Sequence, residues 1–181
     1  MKIQMMLLPL LGMVWGSMTQ VNAEACPCVD KETLTINLVY HQSDLIVDQV
    51  VGPHLQNSEV IALVKDSLVD HDAKIKELNG ISINAGIPLK PTDLSQGFVD
   101  RAKQALPALS TLSGSALESA YLNFRADELQ RLVTAFDTYF IPEVTTPTMK
   151  AWVPLERARL WKEYSDTRAL IQKLSNPLFT N

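Results

Sequence analysis

The side chains best able to do chemistry in this sequence are histidines and acids on the apolar faces of predicted helices. His71 interrupts such a face in the stretch 67–78, where a spacing of three and four residues calls for a hydrophobe. His41 and Asp44 stand three residues apart, so a helix would place both on one face. Imidazole and carboxylate groups together can bind transition metals or carry protons.

Glu128 lies at the centre of a second apolar stripe, in a predicted long helix. A bundle core could bring Glu128 together with His41, Asp44 and His71, and these four side chains are the candidate ligands of a single transition metal. A ferritin-type dinuclear centre would need Glu-x-x-His pairs, and the sequence contains none.

The favoured interpretation of His71 needs no metal and no other cofactor. An unpaired buried polar group costs roughly 1–3 kcal/mol, so a core histidine is expected to have a hydrogen-bond partner. The predicted partner of His71 is Glu128 or Asp44. His54 follows Gly52-Pro53 and is expected in a solvated turn.

Motifs for nucleophilic catalysis and nucleotide binding are missing from the sequence. It contains no Gly-x-Ser-x-Gly elbow, no phosphate-binding glycine loop and no dinucleotide fingerprint. Cys26 and Cys28 are both close to the N-terminus, and the single residue between them makes a disulfide that braces the fold improbable. Lipidation of Cys26 and metal capture by the pair remain open alternatives. The sequence therefore favours a protein that is not an enzyme.

Five segments of helical length position these side chains. Glycine and proline punctuate the chain, and Pro107 is predicted to kink the shortest helix. Alternating β-branched residues are essentially limited to the stretch 81–84. We therefore predict an all-α, up-and-down four-helix bundle with a short extra helix. The predicted helices are 31–51, 58–79, a short one opening at Thr92-Asp93, 114–141 and 148–174.

The first 23 residues have the three-part layout of a secretory signal peptide. A charge at Lys2 precedes an apolar run over 3–15 and a polar stretch that ends at Ala23, the predicted cleavage site. The run covers about half a bilayer span, so a retained anchor is the weaker interpretation. We predict export to the periplasm or outer envelope of a Gram-negative bacterium, with membrane contact only during export. The predicted division is a signal peptide (1–23), a flexible tail (24–34), the bundle (35–174) and a C-terminal tail (175–181).

Charge narrows the classes of partner. The chain has a formal net charge of −4 and no long basic run, which argues against nucleic acid or anionic lipid as a partner. The expected partner is therefore an unknown protein or a small ligand. Of Trp152 and Trp161, one is expected to be partly exposed and to mark a candidate partner patch.

An ordered set of short motifs runs through most of residues 35–174. In order and spacing, these motifs resemble the exported bacterial family called domain of unknown function 4142 (DUF4142). The motifs are Val60, Asp70-His71, Leu78, Gly86-Ile87-Pro88-Leu89, Leu112-Ser113-Gly114 and Ala120-Tyr121.

The resemblance implies a ferritin-like four-helix bundle in the periplasm or outer envelope and almost nothing about chemistry. Asp44 falls at an acidic position of the family's first helix. Leu129 stands where members often carry a histidine, and no histidine follows His71. These differences from the family pattern argue against a metal centre shared with the family. The favoured function is a non-catalytic envelope protein that binds a partner or acts in stress tolerance, and the alternative is a metal-binding or metal-dependent redox protein.

Overall fold

A computed structural model describes residues 28–176, and within that range the chain is helical and contains no strand. The all-α prediction is confirmed. The predicted signal peptide, Cys26 and residues 177–181 lie outside the described residues. The helices are α1 (Cys28–Val51), α2 (Ser58–Ala85), α3 (Asp93–Ser110), α4 (Gly114–Ala135), α5 (Ile141–Glu143) and α6 (Pro147–Ser175), with a 3-10 turn at Gly52–His54 and a π-helical turn at Phe136–Phe140.

Side-chain caps fix where the helices begin. The Asn57 side chain accepts hydrogen bonds from the backbone amides of Glu59 and Val60 at the start of α2. Thr92 and Ser95 form a reciprocal capping box at the start of α3. At its other end α2 stops at Gly86, whose φ of 65° is the left-handed conformation that glycine adopts without strain.

α1 is the central helix of the bundle. It packs closely on α2 and on α3, while α4 packs on α6. Short connections force successive helices to run in opposite directions. The Lys90 amide contacts Thr35 Oγ1 at 3.3 Å, and Tyr139 Oη donates to Glu32 Oε2 at 3.1 Å. The start of α1 and the ends of α2 and α4 therefore meet at one end of the molecule.

Two apolar clusters fill the core, and a layer of polar side chains separates them. On α1, the first cluster ends at Tyr40 and the second begins at Val47. On α4, the buried members of the second cluster end at Leu122 and those of the first begin at Leu129. The intervening turns of both helices carry buried charged residues. The candidate site therefore lies at mid-height in the bundle.

Two predicted boundaries are wrong. α1 begins at Cys28 and not at residue 31, so residues 28–30 of the predicted flexible tail are also helical. Asp30 explains the difference, because its carboxylate is fully buried and accepts hydrogen bonds from two backbone amides of the segment before α6. α2 continues beyond residue 79 to Ala85, since Ile81 packs against the first apolar cluster and offsets the low helix propensity of Gly80.

The surface bears out the expectations for the aromatic and turn residues. Trp161 is 47% exposed while Trp152 is 9% exposed, so one tryptophan is indeed open to solvent. His54 is exposed in its 3-10 turn, as expected. Among the helices of residues 28–176, none has the length and apolar character needed to cross a bilayer.

Candidate functional site: a buried polar layer

The polar layer brings together charged side chains from α1, α2, α4 and α6. It contains three of the four predicted site residues, namely His41, Asp44 and His71. We define the polar layer as His41, Asp44, Asp48, Ser67, Asp70, His71, Lys74, Tyr121, Arg125, Glu156, Arg159 and Glu163.

The two histidines of the layer hydrogen-bond directly to each other. His41 Nδ1 and His71 Nδ1 lie 2.7 Å apart, and both side chains are buried. Arg159 Nη2 lies 3.2 Å from His41 Nε2, and a guanidinium can only donate. His41 therefore accepts at Nε2, donates from Nδ1 to His71, and leaves the second proton of the pair on His71 Nε2.

His71 Nε2 faces two carboxylates of α1 without a direct hydrogen bond. It lies 3.9 Å from Asp44 Oδ2 and 3.7 Å from Asp48 Oδ2. None of these three atoms has a hydrogen-bond partner within the described part of the chain. Both distances are longer than a direct hydrogen bond. Asp44, one of the two predicted partners of His71, therefore lies close to it but is not directly hydrogen-bonded to it.

Arg125 is the buried cation of α4 in this layer. Its Nη1 donates to Ser67 Oγ at 2.7 Å and lies 3.7 Å from Asp48 Oδ2. Its Nη2 lies 3.5 Å from Glu163 Oε2. Asp48 also accepts a hydrogen bond of 2.7 Å from Tyr121 Oη. The positive charge of Arg125 thus offsets the negative charges of carboxylates on α1 and α6.

Arg159 and Lys74 supply the remaining cations. Arg159 Nη2 donates to Glu156 Oε1 at 2.5 Å, and its Nη1 donates to Asp70 Oδ2 at 2.6 Å and to Glu163 Oε1. Lys74 Nζ lies 3.1 Å from Glu156 Oε2. These contacts join α2 to α6 across the bundle.

Burial controls the protonation of the layer. It raises the pKa of Asp44 to about 8, with the nearby charge of Asp48 adding to the effect and Arg125 opposing it. Burial also lowers the pKa of His41 and, more strongly, that of His71. Burial opposes the ionisation of Glu156, but the hydrogen bonds and the positive charge of Arg159 outweigh it and hold the pKa of Glu156 well below its usual range.

At neutral pH these shifts reduce the number of charges that the layer buries. Both histidines are neutral, and Asp44 is largely protonated. The cationic side chains of Arg125, Arg159 and Lys74 then face the carboxylates of Asp48, Asp70, Glu156 and Glu163.

Glu128 has a different partner from the one predicted. Arg101 Nε of α3 donates to Glu128 Oε1 at 2.6 Å, and Arg131 Nε lies 3.8 Å from the same oxygen. His71 is therefore hydrogen-bonded to His41, while Glu128 interacts with the two arginines and not with His71. The sequence signal that could have found the acids of α1 is the spacing of Asp44 and Asp48, which places them one turn apart on one face.

The remaining members of the layer carried no distinctive spacing. Arg125 stands one turn after Tyr121 on the buried face of α4, and Glu156 is buried on α6 while Arg159 is partly exposed. Each resembles an ordinary charge of an amphipathic helix when only the sequence is considered. Across residues 28–176, no group of three or more histidine, cysteine, aspartate or glutamate side chains is arranged to hold a metal ion.

Comparison with known proteins adds no identification. No protein-family model matches this sequence, and no significant match is found to a curated protein or a solved structure. The resemblance to DUF4142 therefore stays a prediction. The polar layer has to be interpreted from its own chemistry.

Proposed function

We propose that this chain is a non-catalytic, exported helical-bundle protein of ferritin-like type that binds a partner. In this proposal the polar layer stabilises and specifies the bundle. The observation that carries it is the mutual compensation of the layer, in which the buried Arg125 and the partly exposed Arg159 pair with buried carboxylates and His41 pairs with His71.

The burial and protonation of the histidines support a structural role. His41 is 0% and His71 is 1% exposed. A general base has to reach the proton that it removes, and its pKa should lie near the working pH. Burial holds the pKa of both imidazoles below the ordinary value instead.

An aromatic group on α6 supports partner binding. Trp161 is 47% exposed, its ring centroid lies 5.5 Å from that of Tyr164, and the Arg157 guanidinium lies 5.1 Å from the Trp161 ring. Tryptophan, tyrosine and arginine are the residues that most often dominate binding energy at protein interfaces. The exposed Trp161, beside the partly buried Tyr164, is a candidate contact for a protein partner.

Export is supported by the signal-peptide layout of the first 23 residues. We expect the chain recovered from the periplasm of a bacterial host to begin at Glu24 by intact mass. An uncleaved chain that remains in the cytoplasm would contradict this part of the proposal.

A metal-binding or metal-dependent redox protein is the second candidate. Asp44 Oδ2, Asp48 Oδ2 and His71 Nε2 are buried, lack hydrogen-bond partners among the described residues and lie close together. Two ligands of a tetrahedral ion bonded at about 2.1 Å would stand roughly 3.4 Å apart, so the observed spacing is wider. Arg125 Nη1 also lies near both carboxylates, and the tautomer assigned to His71 puts a proton on the nitrogen that would have to bind.

Elemental analysis separates the two candidates. The protein would be purified without an affinity tag, beside His71→Ala and, as the matched control, His54→Ala in the exposed turn. We expect less than stoichiometric iron, zinc, copper and manganese in all three proteins. One equivalent of a metal that is lost with His71 and kept in the His54 variant would replace the first candidate by the second.

A further inference from the structure

We propose that the outer face of α6 binds the same face of a second copy of this chain, so that the protein forms an antiparallel two-fold dimer. The outer face is the solvent-exposed side of α6. This inference rests on the partner-binding role proposed above and names the partner. We define the outer face as Ala158, Trp161, Lys162, Ser165, Asp166 and Arg168.

Trp161 is the anchor of the outer face, and its ring is held in place before any partner binds. The Arg157 guanidinium lies 5.1 Å from the ring centroid and is itself fixed by hydrogen bonds of 2.8 and 2.7 Å to the Asp137 carboxylate. Trp161 nevertheless stays 47% exposed, and Ala158 and Ser165, about one turn away on either side, are too small to cover it. A fixed and half-exposed tryptophan loses little conformational freedom on binding, which is a property of interface anchors.

The order of charges along the outer face complements that of a second, antiparallel copy. If the two-fold axis is level with Tyr164, Lys162 of one copy lies at the height of Asp166 of the other, and Trp161 lies within about one residue, or about 1.5 Å, of the height of Arg168. Lys162 and Asp166 share one edge of the face, and Trp161 and Arg168 share the other, because residues four and seven apart lie on the same side of a helix. A two-fold axis sets each edge against the same edge of the other helix, so both pairs meet.

The symmetry forms each of these contacts twice. Lys162 and Asp166 already pair within one helix, with 2.6 Å between Nζ and the carboxylate, and the dimer joins two such pairs across the axis. Arg168 is exposed and has no ion-pair partner among the described residues, so its guanidinium is free to stack on Trp161 of the second copy. A face that carries both signs of charge beside an aromatic ring fits neither nucleic acid nor an anionic membrane, which call for cations alone.

The expected dimer is weak and reversible. One helix face from each copy buries less than the roughly 800 Å² per partner of a standard interface. Exposed ion pairs contribute little to affinity, so Trp161 supplies most of it. We therefore expect a Kd on the order of 100 µM.

Sedimentation velocity tests the dimer. The protein, purified without an affinity tag, would be measured from about 5 to 500 µM, a range that spans the expected Kd. Trp161→Ala should weaken the association about tenfold, because it removes the anchor. Ile83→Ala is the matched control and should leave the Kd unchanged, since Ile83 is a 79% exposed hydrophobe of α2 outside the outer face. Circular dichroism establishes that both variants are folded.

A charge exchange at low ionic strength tests the antiparallel register. Lys162→Asp and Asp166→Lys each place like charges opposite each other in the dimer, so each should weaken self-association severalfold. A mixture of the two variants restores opposite charges at both positions and should associate as tightly as the original protein. In a parallel pair the two positions would lie on different edges, and mixing would restore nothing.

Three results would overturn the inference. They are a chain that stays monomeric up to 500 µM, a dimer that Trp161→Ala leaves unchanged, and charge variants that associate no better when mixed than alone. Elemental analysis and the mass of the exported chain test the proposed function without reference to self-association, so the two proposals can fail separately.

Discussion

His71 occupies an apolar face because another histidine, and not a carboxylate, satisfies one of its ring nitrogens. The Nδ1 atoms of His41 and His71 are 2.7 Å apart in a region closed to solvent. From the sequence, the position of His71 in the core could be predicted, as could Asp44 as one of two candidate neighbours. The pairing with His41 could not, because which turns of α1 and α2 face each other depends on the packing of the whole bundle.

Replacing His71 by leucine should destabilise the protein although it restores the apolar stripe. The change leaves the Nδ1–H group of His41 buried without an acceptor, at an expected cost of about 1–3 kcal/mol. His41→Leu should also destabilise, and the double variant should cost less than the sum of the two. Urea unfolding of the four proteins measures the coupling.

Two comparisons make this cycle specific. His54→Leu, in the exposed turn, should change stability little. His71→Leu combined with Glu128→Gln should be additive, because Glu128 is bonded to Arg101. Coupling between His71 and Glu128 would contradict the assigned partners, and strict additivity between His41 and His71 would show that their contact contributes nothing.

At the scale of the elements, the start of α1 is held by the segment that leads into α6. The Asp30 carboxylate accepts hydrogen bonds of 2.9 Å from the amides of Thr145 and Thr146. Sequence spacing predicted most helix limits well, since capping residues such as Asn57 and Thr92 act locally. It missed residues 28–30 because the partner of Asp30 is more than a hundred positions away in the chain.

Asp30→Ala should therefore destabilise the whole bundle. The change leaves two backbone amides without their acceptor, and a charged acceptor is worth about 1.5–3 kcal/mol. Glu32→Ala is the matched control, since Glu32 lies two positions away on the same helix and makes an exposed contact with Tyr139. Thermal unfolding of both variants checks this. Equal and small effects would mean that the start of α1 behaves as the flexible tail expected from the sequence.

At the scale of the whole molecule, the core consists of two apolar clusters joined by an ionic layer. Hydrophobic spacing predicted the helices that supply the clusters, including the stripe through Tyr121 and Glu128. It could not predict that Arg125 and Arg159 meet buried acids, because a charge on an amphipathic helix is usually solvated. The layer is a property of four helices packed together.

The protonation of this layer predicts a stability maximum between about pH 6 and 7. The pKa of His41 and His71 is lowered in the folded state from about 6.5, so the unfolded chain gains protons first and stability falls as the pH drops below that value. Asp44 acts in the opposite direction. Its pKa of about 8 in the folded state exceeds the unfolded value of about 3.9, so its contribution is lost as the pH rises toward 8.

Asp44→Asn tests the loss of stability that is assigned to Asp44 at alkaline pH. Asparagine resembles the protonated carboxyl group and does not ionise, so the decline in stability above pH 7 should become shallower. The decline in stability at low pH, which comes from the histidines, should be retained. The midpoints of urea unfolding, measured between about pH 5 and 9, report the loss of stability on both the acid and the alkaline side. If the variant lost stability above pH 7 as steeply as the original protein, Asp44 would not hold the proton assigned to it.

The central claim is that His41 and His71 form a neutral, structural pair, and the protonation of their ring nitrogens tests it most directly. Long-range proton–nitrogen correlation spectra of the ¹⁵N-labelled protein report which nitrogen of each imidazole carries hydrogen. We predict that His41 carries it on Nδ1 and His71 on Nε2, with no change when one equivalent of Zn²⁺ or Co²⁺ is added. A His71 that carries hydrogen on Nδ1 and binds the added ion through Nε2 would contradict the account.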